Sequence, residues 1–195
     1  MNQPIQFGVV QGRLTKSPQG CLQWFPQESW QEEFKVASHI GINYIELIAE
    51  VQHNSDNPLW SEEGILEIRQ LVNENNLTLH ALCNDYIVEH SLISDNEVVN
   101  QNLNLIEQAE KLNIEKYIMP LLDSSQLTLE NMNKYIDPIR TIAETAHGKG
   151  IVTCLETILK GNELIKLLDV IDRPFVMAVY DTGNMVALGR DLQQD

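Results

Sequence analysis

The chain has 195 residues, of which 43% are hydrophobic and 21% are charged, which is enough for one globular domain with a sizeable core. Its 28 acidic and 13 basic side chains give a formal net charge of -15. Such a surface repels a phosphate backbone, which proteins bind through Lys and Arg, so we expect no nucleic-acid partner. A small substrate that carries a metal cation is compatible with this charge, because a cation reverses the sign of the local electric field.

The three cysteines, Cys21, Cys83 and Cys154, lie far apart in the sequence. This spacing favours free thiols in a reducing compartment over a disulfide scaffold. The N-terminus lacks the basic start and apolar run of a signal peptide, and no apolar run is long enough to span a bilayer. We therefore expect a cytoplasmic protein with no membrane partner.

Short runs rich in β-branched and aromatic residues predict strands, and the longer amphipathic runs between them predict helices. The predicted strands are residues 5–10, 44–48, 77–83, 117–122, 151–157 and 175–181. The predicted helices are residues 29–40, 61–76, a stretch that begins at 95, 129–146 and 161–170. Ser61 and Asp95 are the expected N-caps, and Gly41 is expected to end the first helix. Pro138 predicts a kink or a division into two helices.

The regular alternation of strand and helix predicts one α/β domain over residues 1–195, with a parallel sheet. Periodicity alone does not separate a TIM barrel from a doubly wound open sheet. A nucleotide-binding Rossmann unit would carry Gly-x-Gly-x-x-Gly after the first strand, and Gly8 and Gly12 do not supply that pattern.

Two carboxylates stand where predicted strands end: Glu156 on the fifth strand and Asp181 on the sixth. Barrel active sites gather at the C-terminal ends of parallel strands, and oxygen ligands of this kind suit Mg²⁺ or Mn²⁺. The alternative is that either acid caps the helix that follows. That alternative is strong for Asp181, because Asp181-Thr182-Gly183-Asn184 is also a good turn sequence.

Short motifs stand in order along the chain: Gln11-Gly12-Arg13-Leu14 with Trp24-Phe25-Pro26 and Trp30-x-x-Glu33-Phe34, Gly41-Ile42-Asn43-Tyr44-Ile45-Glu46, Cys83-Asn84-Asp85-Tyr86, Pro120-Leu121-Leu122-Asp123, Leu155-Glu156-Thr157 and Tyr180-Asp181-Thr182-Gly183-Asn184. In this order they resemble the sugar phosphate isomerase/epimerase proteins of the xylose-isomerase-like TIM-barrel superfamily. The likeness covers nearly the whole chain.

The resemblance implies an isomerase or epimerase that acts on a sugar or sugar phosphate with a divalent metal (Mn²⁺, Mg²⁺, Co²⁺ or Zn²⁺). Relatives hold the metal with a Glu, an Asp, a His and a second Glu at successive strand ends, and carboxylates move the proton next to a carbonyl. Glu156 matches the first Glu, as metal ligand and catalytic acid/base, and Asp181 matches the Asp. Asn184 matches a substrate-contacting position that is often His in relatives.

The chain ends before the strands that carry the His and the second Glu in such relatives. A complete barrel takes about 250 residues, so we expect an incomplete TIM barrel of about six parallel strands with outer helices, truncated at its C-terminus. Open edges seek partners, including a second copy of the chain. A degenerate barrel that serves binding or assembly without catalysis is therefore the alternative function. Metal-dependent cleavage of abasic DNA is a third, and the acidic charge opposes it.

Four further residues are candidates for the substrate pocket. Glu46 lies on the second predicted strand, where a buried acid needs a role or a partner. Asp85 follows the third strand, and Arg13 follows the first, where it suits a phosphate or carboxylate. His80 lies within the third strand. The functional interpretation makes it a ligand or base, and the structural interpretation makes it a packed core histidine.

Overall fold

The computed structural model describes residues 5–18, 21 and 23–191. Within them, the strands are β1 (Gly8–Val10), β2 (Tyr44–Ala49), β3 (Thr78–Asn84), β4 (Lys116–Pro120), β5 (Val152–Glu156) and β6 (Val176–Val179). The helices are α1 (Trp30–His39), α2 (Glu62–Glu74), α3 (Tyr86–Glu89), α4 (Asn96–Lys111), α5 (Met132–Gly148), α6 (Gly161–Ile171) and α7 (Thr182–Ala187). Single 3-10 turns at Pro58–Trp60 and Asp123–Ser125 precede α2 and α5.

The six strands form one sheet in the order β1 to β6, and every neighbouring pair is parallel. This arrangement, with a helix after each strand, confirms the expected incomplete TIM barrel. Among the described residues no strand joins β6 back to β1.

The register separates the two faces of the sheet. Tyr117 on β4 donates its hydroxyl proton to Asn102 of α4 across 2.7 Å, so its face of the sheet is covered by helices. Cys83, Ile118, Cys154 and Met177 lie side by side on the opposite face. Because side chains alternate along each strand, Glu156 follows Cys154 on that same inner face.

The helix starts follow the sequence signals. Ser61 accepts a hydrogen bond from the backbone N–H of Gly64 at 3.0 Å, and Asp95 accepts one from Glu97 at 2.9 Å, so both predicted N-caps are confirmed. Gly41 follows α1 with φ +81°, a conformation that glycine adopts without strain.

α5 corrects one expectation. It runs through Pro138 as a single helix, so the alternative of two helices is wrong. Proline removes one backbone hydrogen bond, but burial of Tyr135, Ile136, Ile139 and Ile142 on one helix face offsets that loss. None of the described helices is long and apolar enough to cross a membrane.

Candidate functional site at the strand ends

Glu156, Asp181 and Asn184 form a connected group at the C-terminal ends of β5 and β6. The side-chain amide of Asn184 donates to Glu156 Oε1 at 2.8 Å. The backbone N–H of Asn184 donates to Asp181 Oδ1 at 3.0 Å. Asp181 is thus the N-cap of α7. Asn184 links the two carboxylates, because its side-chain amide contacts Glu156 and its backbone N–H contacts Asp181.

Glu156 lies in an environment that disfavours its negative charge. Its pKa is raised from 4.5 to about 7, chiefly by burial and then by the charges of Asp181 and Asp85, while the hydrogen bond from Asn184 opposes the rise. A carboxyl group with a pKa near neutrality can both accept and donate a proton at physiological pH.

Glu46 faces the same interior from the middle of β2. Its pKa rises from 4.5 to about 7, chiefly through burial and then through the charges of Glu156 and Asp85. The charge of Glu156 on β5 is thus among the causes of the raised pKa of Glu46 on β2. The inner face therefore concentrates acidic groups that resist simultaneous ionisation.

Asp85 follows β3 and is 6% exposed. Its Oδ1 accepts hydrogen bonds from Gln23 Nε2 at 3.1 Å and from the Cys83 thiol at 3.3 Å. Burial raises the pKa of Asp85, and these two hydrogen bonds oppose the rise. Arg13 donates to Gln23 Oε1 at 3.3 Å, so the arginine reaches this acid through the glutamine.

A cavity of about 320 Å³ opens beside Asp85. Its lining includes Gln23, Trp24, Glu50 and Asn54, from the loops that follow β1 and β2. We call it the rim cavity. It combines an indole ring with amide and carboxylate groups, the kind of lining that small polar ligands require.

Glu33 holds the loop between β1 and α1, a role that the sequence did not reveal. The side chain is 1% exposed, and its carboxylate accepts hydrogen bonds from the backbone N–H groups of Gly12 at 2.7 Å and Leu14 at 2.9 Å. The hydroxyl of Thr15 donates to the same carboxylate at 3.3 Å. Glu33 thereby fixes the segment that carries Arg13, and the Trp30-x-x-Glu33-Phe34 motif was the available signal.

The structure does not bring His80 to the strand ends. Its ring packs on Tyr44, with ring centroids 5.0 Å apart, and Nδ1 lies 3.7 Å from a carboxylate oxygen of Glu115. The register between β2 and β3 shifts here, because Ile45 pairs with Leu79 whereas Leu47 pairs with Leu82. His80 lies in the N-terminal half of β3, away from Asp85, which follows the strand.

The donor set fits a divalent cation in part. Glu156 and Asp181 supply hard carboxylate oxygens of the kind that Mg²⁺ and Mn²⁺ prefer, and a cation held by them would offset the burial and the neighbouring charges that raise the pKa of Glu156. Among the described residues, no group of three or more His, Cys, Asp and Glu side chains is arranged to hold a metal. A cation bound here would therefore keep several water ligands.

Comparison with known proteins identifies the fold. A family model described as xylose isomerase-like TIM barrel matches residues 34–195. No curated protein matches the chain at a significant level.

Solved structures with TM-scores near 0.7 share the architecture. A xylose isomerase-like TIM-barrel protein from Mycobacterium smegmatis, in complex with magnesium, is 16% identical; the match covers 95% of this chain and 67% of that one, with a TM-score of 0.71. D-psicose 3-epimerase with D-tagatose from Clostridium cellulolyticum H10 is 16% identical, with 93% and 65% covered and a TM-score of 0.71. A 3-keto-D-glucoside 4-epimerase from E. coli is 15% identical, with 98% and 73% covered and a TM-score of 0.70.

At these identities the likeness establishes the fold alone. The chain spans about two thirds of the length of the first solved structures that it matches.

Proposed function

Because the chain belongs to the xylose isomerase-like TIM-barrel family, we propose that it is a sugar isomerase/epimerase-like protein. Its substrate class is a neutral sugar or a sugar phosphate, and its reaction is proton transfer at the carbon next to a carbonyl. The observation that carries the proposal is the linked group of Glu156, Asn184 and Asp181 at the ends of β5 and β6.

Glu156 and Asp181 would hold the divalent cation, which would be Mn²⁺, Mg²⁺, Co²⁺ or Zn²⁺. When bound, such a cation polarises a carbonyl and its neighbouring hydroxyl. Glu156 is the acid/base that removes or returns the proton. Asn184 orients it, because its amide donates to Glu156 Oε1 while its backbone N–H is fixed by Asp181.

The remaining proposed contacts line the approach to Glu156. Asp85 and Glu46 accept hydrogen bonds from the substrate's hydroxyl groups at the inner face. Arg13, through its contact with Gln23 beside the rim cavity, faces the polar end of the substrate. His80 is left out, because it packs against Tyr44 and Glu115.

A second function is favoured by the edges of the sheet, which bear exposed apolar side chains. Phe7 beside β1 is 62% exposed, and Met177 on β6 is 49% exposed. A barrel that uses these edges for binding or assembly, including pairing with a second copy, would cover them. We also propose a cytoplasmic location, supported by free Cys21, Cys83 and Cys154, and a single domain over residues 1–195.

Thermal unfolding with added cation tests the metal site. We expect Mn²⁺ to raise the unfolding midpoint of the wild-type chain, because a ligand that binds the folded state stabilises it. The double variant Glu156→Gln with Asp181→Asn should lose that shift. A matched control, Glu130→Gln with Asp137→Asn, removes two exposed carboxylates of α5 and the loop before it and should keep it. An equal shift in both double variants would reject the site.

Deuterium exchange tests the reaction without prior choice of product. The chain is incubated with D-fructose and Mn²⁺ in D₂O, and mass spectrometry follows the label at the carbon beside the carbonyl. Wild type should incorporate deuterium and Glu156→Gln should not. Absence of exchange in wild type, together with a dimer through the sheet edge in light scattering, would favour the assembly function instead.

A further inference from the structure

A second cavity, of about 460 Å³, lies on the outer side of the molecule between the loop after β2 and the surface of α4. Its lining includes His53, Trp60, Tyr86, Gln101, Asn104 and Gln108. We call it the α4 groove. Its volume falls in the range of small-molecule sites, and its lining differs from that of the rim cavity except for His53.

One wall of the groove consists of aromatic rings held in fixed positions. The rings of His53 and Trp60 lie 4.9 Å apart, and Tyr86 stacks on His90 at 3.9 Å with an interplanar angle of 2°. Trp60 is the last residue of the 3-10 turn whose N-cap is Asn57. Asn57 is 1% exposed, and its amide donates to the Ile48 carbonyl at 3.1 Å, so the turn is anchored to β2.

The other wall is a polar stripe on α4. Glu97, Gln101, Asn104 and Gln108 follow a spacing of four, three and four residues, which places them on one helix face. Gln101 is held from behind, because its Oε1 accepts a hydrogen bond from Asn84 at 3.0 Å. Asn84 is fully buried at the end of β3 and also donates to the Tyr117 hydroxyl at 2.8 Å. Rigid support of this kind is what a binding site requires.

The charge of the lining selects the class of ligand. Glu97 and Glu107 contribute carboxylates, and Glu107 pairs with Lys149 at 2.9 Å. No Lys or Arg occurs among the lining residues that the structure describes. Anions are therefore repelled. Flat rings offer apolar area to one face of a ligand, while three carboxamides offer both hydrogen-bond donors and acceptors to its edge.

We infer that the α4 groove binds a neutral saccharide, with one sugar face on Trp60 and the hydroxyl groups on the α4 stripe. A ring that is apolar on its faces and rich in hydroxyl groups at its edge matches both walls at once. The inference does not depend on the metal or on proton transfer, because none of the residues proposed for those roles lines the groove.

Nuclear magnetic resonance with ¹⁵N-labelled tryptophan separates the two cavities. The chain has three tryptophans: Trp24 lines the rim cavity, Trp60 lines the α4 groove, and Trp30 is buried in the core. The variant Trp60→Phe assigns the indole N–H signal of Trp60, because that signal is missing from its spectrum. We expect titration with cellobiose to shift this signal, and the shift to reach saturation. Glucose 6-phosphate should bind several-fold more weakly, because the Glu97 carboxylate repels its phosphate.

Asn104→Ala should weaken cellobiose binding by about threefold to tenfold, the range for one lost hydrogen bond. Gln108→Ala gives a second test on the same stripe. Asn133→Ala, an exposed asparagine on α5, is the matched control and should leave binding unchanged. Circular dichroism checks that each variant is folded.

Three results would overturn the inference. One is a Trp60 signal that does not saturate with cellobiose. Another is movement of the Trp24 signal alone, which would place the sugar in the rim cavity. A third is a Trp60 shift with choline but not with cellobiose, which would make the ligand an organic cation held by the rings.

Discussion

The strand ends of β1 to β3 and those of β5 and β6 treat carboxylates differently. On the β1–β3 side, Glu33 accepts two backbone N–H groups and one hydroxyl, and Asp85 accepts an amide and a thiol. On the β5–β6 side, Glu156 and Asp181 share one asparagine, and the charge of Asp181 adds to burial in raising the pKa of Glu156.

The difference separates structural acids from acids available for chemistry. An acid whose oxygens accept several hydrogen bonds from neutral donors, as at Glu33, holds a loop in place. Neighbouring acids with few hydrogen-bond donors repel one another when both are ionised, and a bound proton or cation relieves that repulsion. Acids that accept several hydrogen bonds, such as Glu33, and buried acids with a raised pKa, such as Glu156 and Glu46, should therefore respond to mutation in opposite ways.

The largest expected effect is at Glu33. Glu33→Ala removes the acceptor of two backbone N–H groups that hold the Gly12–Leu14 loop, and we expect a loss of about 3–5 kcal/mol in unfolding free energy, because each charge-assisted bond contributes about 1.5–3 kcal/mol. Urea denaturation measures the loss. Glu32→Ala, an exposed neighbour on α1, should change stability by less than about 0.5 kcal/mol. Equal effects would show that Glu33 does not anchor the loop.

Glu46 gives the next effect, and it depends on pH. Its folded-state pKa is raised from 4.5 to about 7, so the folded chain keeps a proton that the unfolded chain releases. The stability from this group is fully present below pH 4.5 and is lost as pH rises through 7. Glu46→Gln mimics the protonated acid, so it should be on the order of 2 kcal/mol more stable than wild type at pH 8.

The same pair should have nearly equal stability below pH 4.5, where Glu46 is protonated in both states. Urea denaturation at half-unit intervals of pH measures the difference. Glu74→Gln on α2 removes one exposed charge and controls for the acidic surface. If the wild type and Glu46→Gln keep a constant difference across the whole range, the pKa of Glu46 is not raised by burial and neighbouring charges as described.

Local sequence signals predicted most of the fold. The alternation of strand and helix periodicity predicted the parallel sheet. Ser61 and Asp95 predicted two helix starts, because a capping side chain contacts a backbone N–H three residues away or fewer. Glu156 and Asp181 were placed at neighbouring strand ends for the same reason: alternation along a strand is local. Their roles remain proposals.

Contacts that join distant residues were not predictable from these signals. Glu33 reaches Gly12 across 21 positions, and Gln23 reaches Asp85 across 62. The packing of His80 on Tyr44 arises from the pairing of β2 with β3, and no single-strand pattern encodes a pairing. The α4 groove likewise needs two loops and one helix face to meet.

The smallest expected effect is at Gln23, and it tests whether Asp85 belongs with the structural acids. Gln23→Ala removes one donor from Asp85 and one acceptor from Arg13. Because Asp85 is 6% exposed, we expect a loss of about 1 kcal/mol in unfolding free energy and a further rise in the pKa of Asp85. Gln31→Ala removes a similar amide that donates to exposed Glu67, and it should cost less than about 0.5 kcal/mol. Unchanged stability on loss of Gln23 would show that this hydrogen bond does not stabilise the Asp85 carboxylate.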